Sequence, residues 1–311
     1  MGRESGDEEG KRVDIADCVT RNVVLPDRRY AGLWDSIVTP VEVKSRLLHA
    51  ALLSGRLRGA LPFDVTALHG LALLTGPPGT GKSTLARGLP SKVGEALGGT
   101  RVRFVEVNPH GLMSAEHGQS QQRVSRLLTE HIPLLADDRL PTIVLLDEIE
   151  TMAVARGAAS LEANPADVHR ATDAVLTALD DLAISAPHIF MVATSNFTDA
   201  LDSALMSRAD VTLHVPLPGQ DAIATILTNT LSGFAEQFPG IARLAASPEI
   251  KTIAATLEGV DGRAVRKLVT EALAMRIETT LNPGDLTLDD LSAAARALNV
   301  TREQGGPNAS H

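Results

Sequence analysis

Aromatic residues make up only 3% of this 311-residue chain, with a single tryptophan, Trp34, and a single tyrosine, Tyr30. A core so short of rings must pack on Leu, Val, Ile and Ala, and the 44% apolar content supplies them. The lone cysteine, Cys18, excludes an internal disulfide framework. No apolar run approaches the ~18 residues of a membrane helix, and the N-terminus lacks the apolar stretch of an export signal, so we expect no membrane partner and a cytoplasmic location. Lysine and arginine number 29 against 38 acids, and a formal charge of −9 speaks against a general nucleic-acid-binding surface. No internal repeat or low-complexity tract is present.

Against these absences stands one dense stretch, Leu71-Ala-Leu-Leu-Thr-Gly-Pro-Pro-Gly-Thr-Gly-Lys-Ser83, which reads as an apolar strand, a glycine-rich turn and a helix start. Gly76, Gly81, Lys82 and Ser83 match the spacing of a phosphate-binding loop in its required strand-loop-helix setting. Gly76, Pro77, Pro78, Gly79, Thr80, Gly81, Lys82, Ser83 and Thr84 are the candidate cradle. Successive backbone N–H groups there make a concave anion site, and the helix N-terminus adds favourable partial charge. Gly79 and Gly81 let the backbone approach a ligand with no Cβ in the way. Lys82 is expected to reach the β- and γ-phosphates of ATP, and the Ser83 hydroxyl to hold Mg²⁺.

Elsewhere the chain reads as follows. Residues 1–30 are charged and lack a sustained apolar period, which predicts a mobile arm. Thr39-Pro-Val-Glu42 reads as a capping box for a helix running to about Gly55. Trp34 is expected to be a core anchor, and Ile37 and Val38 to form part of an adenine pocket. Pro90 predicts a kink or stop in the helix after the glycine-rich turn. Strands are expected at 102–108, 142–149, 189–196 and 211–216, with helices between them, including one over 120–135. Unalternating apolar strands separated by helices imply a largely parallel α/β sheet, with ligands beyond the strands' carboxyl ends. After residue 219 the pattern turns helical, at 223–238, 247–257, 262–281 and 287–298. The expected domains are therefore an arm (1–30), a large α/β domain (31–218), a small helical lid (219–300) and a polar, frayed tail (301–311).

Four further places carry chemistry. Asp147 and Glu148 follow an apolar strand, so that Asp147 suits a Mg²⁺ shell and Glu148 can polarise an attacking water. Asn196 ends the next strand, where a neutral amide can orient that water; the bland alternative is turn chemistry. Arg208 ends a short helix and is either a cation supplied to a neighbouring subunit's γ-phosphate or a surface ion pair with Asp202 or Asp210. Arg263 opens a helix of the small domain and either touches the nucleotide or faces solvent.

In this order and over these intervals, the phosphate loop, Asp147–Glu148, Asn196, Arg208 and Arg263 resemble the motif set of AAA+ ATPases. The closer resemblance is to the pachytene checkpoint protein two family, also called thyroid hormone receptor interactor thirteen. It is carried by Gly32-Leu-Trp-Asp-Ser-Ile-Val38 with Val41-Glu-Val-Lys-Ser45, by the loop itself, by Leu146-Asp-Glu-Ile-Glu150, by Thr194-Ser-Asn196 with Ser207-Arg-Ala-Asp210, and by Val260-Asp-Gly-Arg-Ala-Val-Arg-Lys-Leu268. The resemblance implies a phosphate-loop core with a helical lid and a homohexameric ring that uses ATP to unfold HORMA-domain proteins. It makes Arg208 the finger and Arg263 the second sensor. We expect no separate N-terminal domain of the kind the larger members carry, since residues 1–30 are too short for one. The chain is thus similar to compact bacterial members that restrain a HORMA protein and a cGAS-like nucleotidyltransferase in cyclic-oligonucleotide-based antiphage (CBASS) systems. The first pore loop departs from the family pattern, with Glu116 and His117 where an aromatic is usual, so gripping is expected to fall to Leu112, Met113 or His117, or to be weak. The second loop is expected at 156–164. A DNA clamp-loader or helicase-loader ATPase and a nucleotide-locked scaffold are the alternatives.

Overall fold

The computed structural model describes residues 18–108, 119–136, 139–153, 165–197, 199 and 201–304. Among the described residues six strands form one sheet: β1 Val19–Leu25, β2 Leu71–Thr75, β3 Val102–Val107, β4 Thr142–Leu146, β5 Ile189–Ser195 and β6 Val211–His214, in the spatial order β1-β3-β4-β5-β2-β6. β3, β4, β5 and β2 pair in parallel, with Val107 opposite Leu146, Leu146 opposite Ala193 and Thr75 opposite Ser195. The carboxyl ends of these strands therefore share one edge of the sheet. β2, β4 and β5 are buried at every position, as unalternating apolar runs require.

β1 corrects the expectation of a mobile arm over its own length. It pairs antiparallel with β3, and Tyr30 beyond it is buried with its ring edge-on to Phe104 at 5.5 Å. As an edge strand it exposes Thr20, Arg21 and Asn22, and this run of polar residues hides the strand period. The stretch ahead of residue 18 lies outside the described residues.

The helix Val41–Arg58 runs past Gly55, because its buried line, Leu47, Ala51, Ser54 and Arg58, continues at helical spacing beyond the glycine. The capping box at Thr39 does not form: Thr39 Oγ1 is buried and finds no hydrogen-bond partner among the described residues. A reciprocal box is found instead at Thr287 and Asp290, where Thr287 N donates to Asp290 Oδ2 at 3.0 Å and Asp290 N to Thr287 Oγ1 at 3.3 Å. Pro90 does not end its helix, which spans Lys82–Ala96. Leu85, Ala86, Leu89 and Val93 are all buried around it, and that packing outweighs one lost backbone hydrogen bond. Trp34 is a core residue, and the backbone at Trp34 lies so close to Gly88 that a Cβ there would sit 2.5 Å from Trp34 N. The helical span expected at 120–135 comprises Gln119–Arg126, a π turn Leu127–His131 and Ile132–Leu135.

The chain forms two compact units. One takes in the described residues of Met1–Trp34, Ser45–Thr75 and Ala86–Leu213; the other those of Asp35–Lys44, Gly76–Leu85 and His214–His311. The core of the first joins strand residues such as Leu71, Val105, Val144 and Met191 to Val175 and Leu179 of the helix Pro165–Ser185. The core of the second is built by Ile223, Leu227, Leu231, Val265, Leu268, Val269 and Leu291, with Val38 packed against it. The helix expected over 262–281 is divided into Gly262–Ala274 and Ile277–Leu281. The final helix, Leu288–Gln304, continues through the first residues of the expected frayed tail. Among the described residues no helix is long and apolar enough to cross a membrane.

Candidate active site

In the second unit, the glycine-rich turn has the conformation its composition predicts. Gly76, Gly79 and Gly81 all have positive φ, at 138°, 77° and 96°. Each also lacks room for a side chain: a Cβ on Gly79 would run into the Asp261 carboxylate, and one on Gly81 would lie 2.7 Å from Ile37 Cδ1. Conformation and crowding independently demand glycine, and the result is a turn open to an anion on its backbone side. Lys82 is 5% exposed, and its ammonium donates to the carbonyls of Gly76 and Pro77 at 2.7 and 2.8 Å. Thr80 Oγ1 donates to the same Pro77 carbonyl at 3.0 Å. These residues fit a polyphosphate: a turn of three positive-φ glycines packed against Val215, Asp261 and Ile37 where side chains would stand, with a buried ammonium folded against it.

The helix Gly262–Ala274 begins at this turn. Asp261 caps it by accepting from Arg263 N and Ala264 N at 2.9 and 3.1 Å, and Arg263 N also reaches the Gly79 carbonyl at 3.2 Å. Arg263 thus meets the phosphate loop through its backbone, while the residue as a whole is exposed. Ile37 is buried against Gly81, and the neighbouring Ser36 carbonyl accepts from Arg266 Nη2 at 2.6 Å. Burial depresses the Arg266 pKa. Neither Asp261 nor Ser36 was foreseen from the sequence.

In the first unit, β4 and β5 deliver polar residues at the carboxyl edge of the sheet. Thr194, 1% exposed, donates to Asp147 Oδ1 at 2.5 Å and accepts from Glu148 N at 3.0 Å. Glu148 has φ 56°, a left-handed conformation that costs a non-glycine residue roughly 1–2 kcal/mol. Asn196 N donates to Glu150 Oε1 at 3.1 Å, joining the ends of the two strand extensions. On the other side of Asp147 stands Arg87, 3.3 Å from Oδ2, which also grips Glu106 through two hydrogen bonds of 3.1 and 2.7 Å. Arg21 approaches Glu106 at 3.2 Å. Glu106 is only 7% exposed, so the two guanidiniums compensate a buried charge, and its hydrogen bonds hold the Arg87 pKa above the usual value. A depression of about 420 Å³ lined by Thr20, Arg21, Glu106, Asn108, Asp147 and Glu148 opens there.

Arg208 pairs with neither acid weighed for it in the sequence. Asp202 caps its helix by accepting from Ala204 N at 2.8 Å, and Asp210 accepts the backbone N–H groups of His69, Gly70 and Leu71. Arg208 binds Asp180, through Nε–Oδ1 and Nη2–Oδ2 contacts of 2.7 Å each. Leu112, Met113, Glu116 and His117, and the second loop expected at 156–164, lie outside the described residues.

Residues 72–217 match the family model described as ATPase family associated with various cellular activities (AAA). The chain is 46% identical over 288 residues to CD-NTase-associated protein 6 of Pseudomonas aeruginosa, covering 93% of this chain and 94% of that one. It is 31% identical to the pachytene checkpoint protein 2 homolog of Mus musculus, over 87% of this chain and 69% of that protein. The chain belongs to the pachytene checkpoint protein 2 family of AAA ATPases. Two solved structures share the fold of this family member. Caenorhabditis elegans PCH-2 superimposes with a TM-score of 0.73 at 24% identity, over 90% of this chain and 75% of that one. A chain of the Escherichia coli HORMA:CdnC:Trip13 complex gives 0.72 at 17%, over 91% and 96%. AAA ATPases bind nucleotide together with Mg²⁺, and the pachytene checkpoint protein 2 family shares that general property.

Proposed function

We propose that the protein is an ATP-hydrolysing, homohexameric remodeller that opens or disassembles complexes of a HORMA-domain protein, and so restrains a cGAS-like nucleotidyltransferase of a CBASS system. The observation that carries this reading is the 46% identity to CD-NTase-associated protein 6 over 93% of the chain. The name of that relative and the composition of the HORMA:CdnC:Trip13 complex supply the partner class.

In this reading the backbone of 76–84, with Lys82, holds the triphosphate, and Ile37 and Val38 flank the base. Ser83 and Asp147 are the residues assigned to Mg²⁺, which when bound would neutralise charge on the phosphoryl oxygens. Glu148 takes the proton of the attacking water, Asn196 orients that water, and Arg208 offers its cation to a neighbouring copy. Arg263 links the loop to the small domain. Support comes from the positive-φ cradle, from the strained Glu148 backbone pinned by Thr194, and from an arginine at the last position of its helix.

The test combines two measurements on Glu148→Gln. Steady-state hydrolysis should fall by about 10² or more while nucleotide binding persists. Added to an active HORMA–nucleotidyltransferase pair, the unmodified protein should suppress cyclic-oligonucleotide synthesis and the variant should not. Equal suppression by both, or hydrolysis by the variant at the unmodified rate, would overturn the assignment.

A further inference from the structure

Arg208 is the last residue of a six-residue helix, Ser203–Arg208. Its guanidinium carries five N–H bonds. Two go to Asp180, and a third, from Nη1, goes to the Ala204 carbonyl at 3.0 Å. Among the described residues, that leaves one N–H on each terminal nitrogen. Asp180 projects from the helix Pro165–Ser185 and is itself met by His69 Nε2, 3.2 Å from Oδ1, the oxygen that also accepts from Arg208 Nε. His69 is anchored in turn: its backbone N donates to Asp210 Oδ1 at 2.9 Å and its ring meets the edge of Phe63 at 5.0 Å. The two acids nearest in sequence, Asp202 and Asp210, are occupied by backbone groups, so Asp180 is the carboxylate that sets the guanidinium plane.

The ion pair is half-open to solvent, with side-chain exposures of 23% and 45%. A pair so exposed stabilises a fold little. What a two-point carboxylate contact does well is fix direction, because both hydrogen bonds lie in one plane. The Arg208 bond holds the Asp180 pKa below the usual range, in keeping with a settled contact.

We propose that Asp180 is a positioning residue for Arg208: it fixes the plane of the guanidinium so that the two remaining N–H bonds are presented to a phosphoryl oxygen on a neighbouring copy, with His69 steadying Asp180. The proposal rests on the reading of Arg208 as a cation acting across subunits, and goes beyond it by assigning the residues that aim the side chain.

The experiment uses the full-length chain and steady-state ATP hydrolysis. Asp180→Ala should lower kcat roughly 10- to 100-fold, the range for an outer partner that orients a reacting group, with KM and the thermal midpoint little changed. Asp180→Glu, which restores the carboxylate, should regain most of the rate. The double variant Asp180→Ala/Arg208→Ala should be no slower than Arg208→Ala alone. Mixing Asp180→Ala copies with Lys82→Ala copies should give more activity than either alone, because the first supplies an intact cradle and the second a correctly aimed arginine. Additive losses in the double variant, no gain on mixing, or an Asp180→Ala enzyme at full rate beside an impaired Arg208→Ala enzyme would overturn the role of Asp180 alone. Full activity in Arg208→Ala would remove the reading beneath it.

Discussion

Thr194 and Asp147 share a hydrogen bond of 2.5 Å, and the same threonine oxygen accepts the Glu148 N–H at 3.0 Å. One buried hydroxyl on β5 thus ties together both acids that follow β4. It aims the Asp147 carboxylate and offsets the left-handed turn at Glu148, where the chain would otherwise relax.

Replacing Thr194 with Val keeps the shape and removes the hydroxyl. We expect hydrolysis to fall about 10- to 100-fold, as for other partners that orient a ligating carboxylate. Nucleotide binding, followed by fluorescence titration, should change little. A Thr194→Ser enzyme should stay close to the unmodified rate, and a Thr194→Val enzyme that does the same would refute the role.

Gly79 offers a sharper case. Alanine there must adopt a left-handed φ of 77° and place its Cβ in the Asp261 carboxylate. The backbone strain alone is roughly 1–2 kcal/mol, and the collision adds to it. We expect Gly79→Ala to weaken nucleotide binding by at least about tenfold. Adding Asp261→Ala removes the carboxylate but leaves the backbone strain and a Cβ contact of 2.9 Å, so affinity should return only in part, as measured by isothermal titration.

Arg58 is buried at the end of its helix, where it donates to the carbonyls of Ile189, Leu182, Ala183 and Ala186. Three of these lie where the helix Pro165–Ser185 ends; Leu182 and Ala186 also accept from the backbone N–H groups of Ala186 and Ile189, so the guanidinium adds a remote second partner to that helix end. Its space exists because Gly70 has no side chain. Arg58→Ala removes the guanidinium from the buried Ile189 and Ala183 carbonyls, at about 1–3 kcal/mol each before water reaches them, while Leu182 and Ala186 keep their backbone donors. We expect the unfolding free energy to drop by roughly 3 kcal/mol or more in urea titration, and Arg58→Lys to recover little, since an ammonium cannot reproduce the planar fork.

Asp290 gives a pH-dependent contribution. Hydrogen bonds from Arg276 foremost, then from Thr287, hold its carboxyl below the ordinary aspartate value of 3.8. A group whose folded pKa is depressed stabilises the fold above its unfolded pKa, and that contribution is lost as pH falls through the folded one. Urea midpoints should therefore fall between about pH 5 and pH 2. Asp290→Asn should be less stable at neutral pH and flatter over that window; a parallel curve for the variant would show that the pair contributes nothing.

The fold class was legible in the order of residues because parallel strands are covered on both faces. At 142–146 and 189–195 this leaves no polar alternation, and a pattern of that kind points to few other structures. The edge strand β1 was hidden for the converse reason: half of it faces solvent, and Thr20, Arg21 and Asn22 look like any charged arm. Pro90 did not stop its helix because propensity is a local preference, whereas burial of Leu89 and Val93 is decided by what packs around them.

At the site the same division holds. The glycines of the phosphate loop could be read directly, since positive φ and close approach are demands one residue type satisfies by itself. Partners could not. Asp180 lies 28 residues before Arg208, Thr194 lies 47 after Asp147, and Arg58 lies 131 before Ile189, and no spacing rule connects such pairs. The linear chain determined which backbone shapes and which kinds of charge were on hand. Only the packed structure decided which charge meets which, because a hydrogen bond depends on distance and angle in space, and folding alone brings remote segments within that reach.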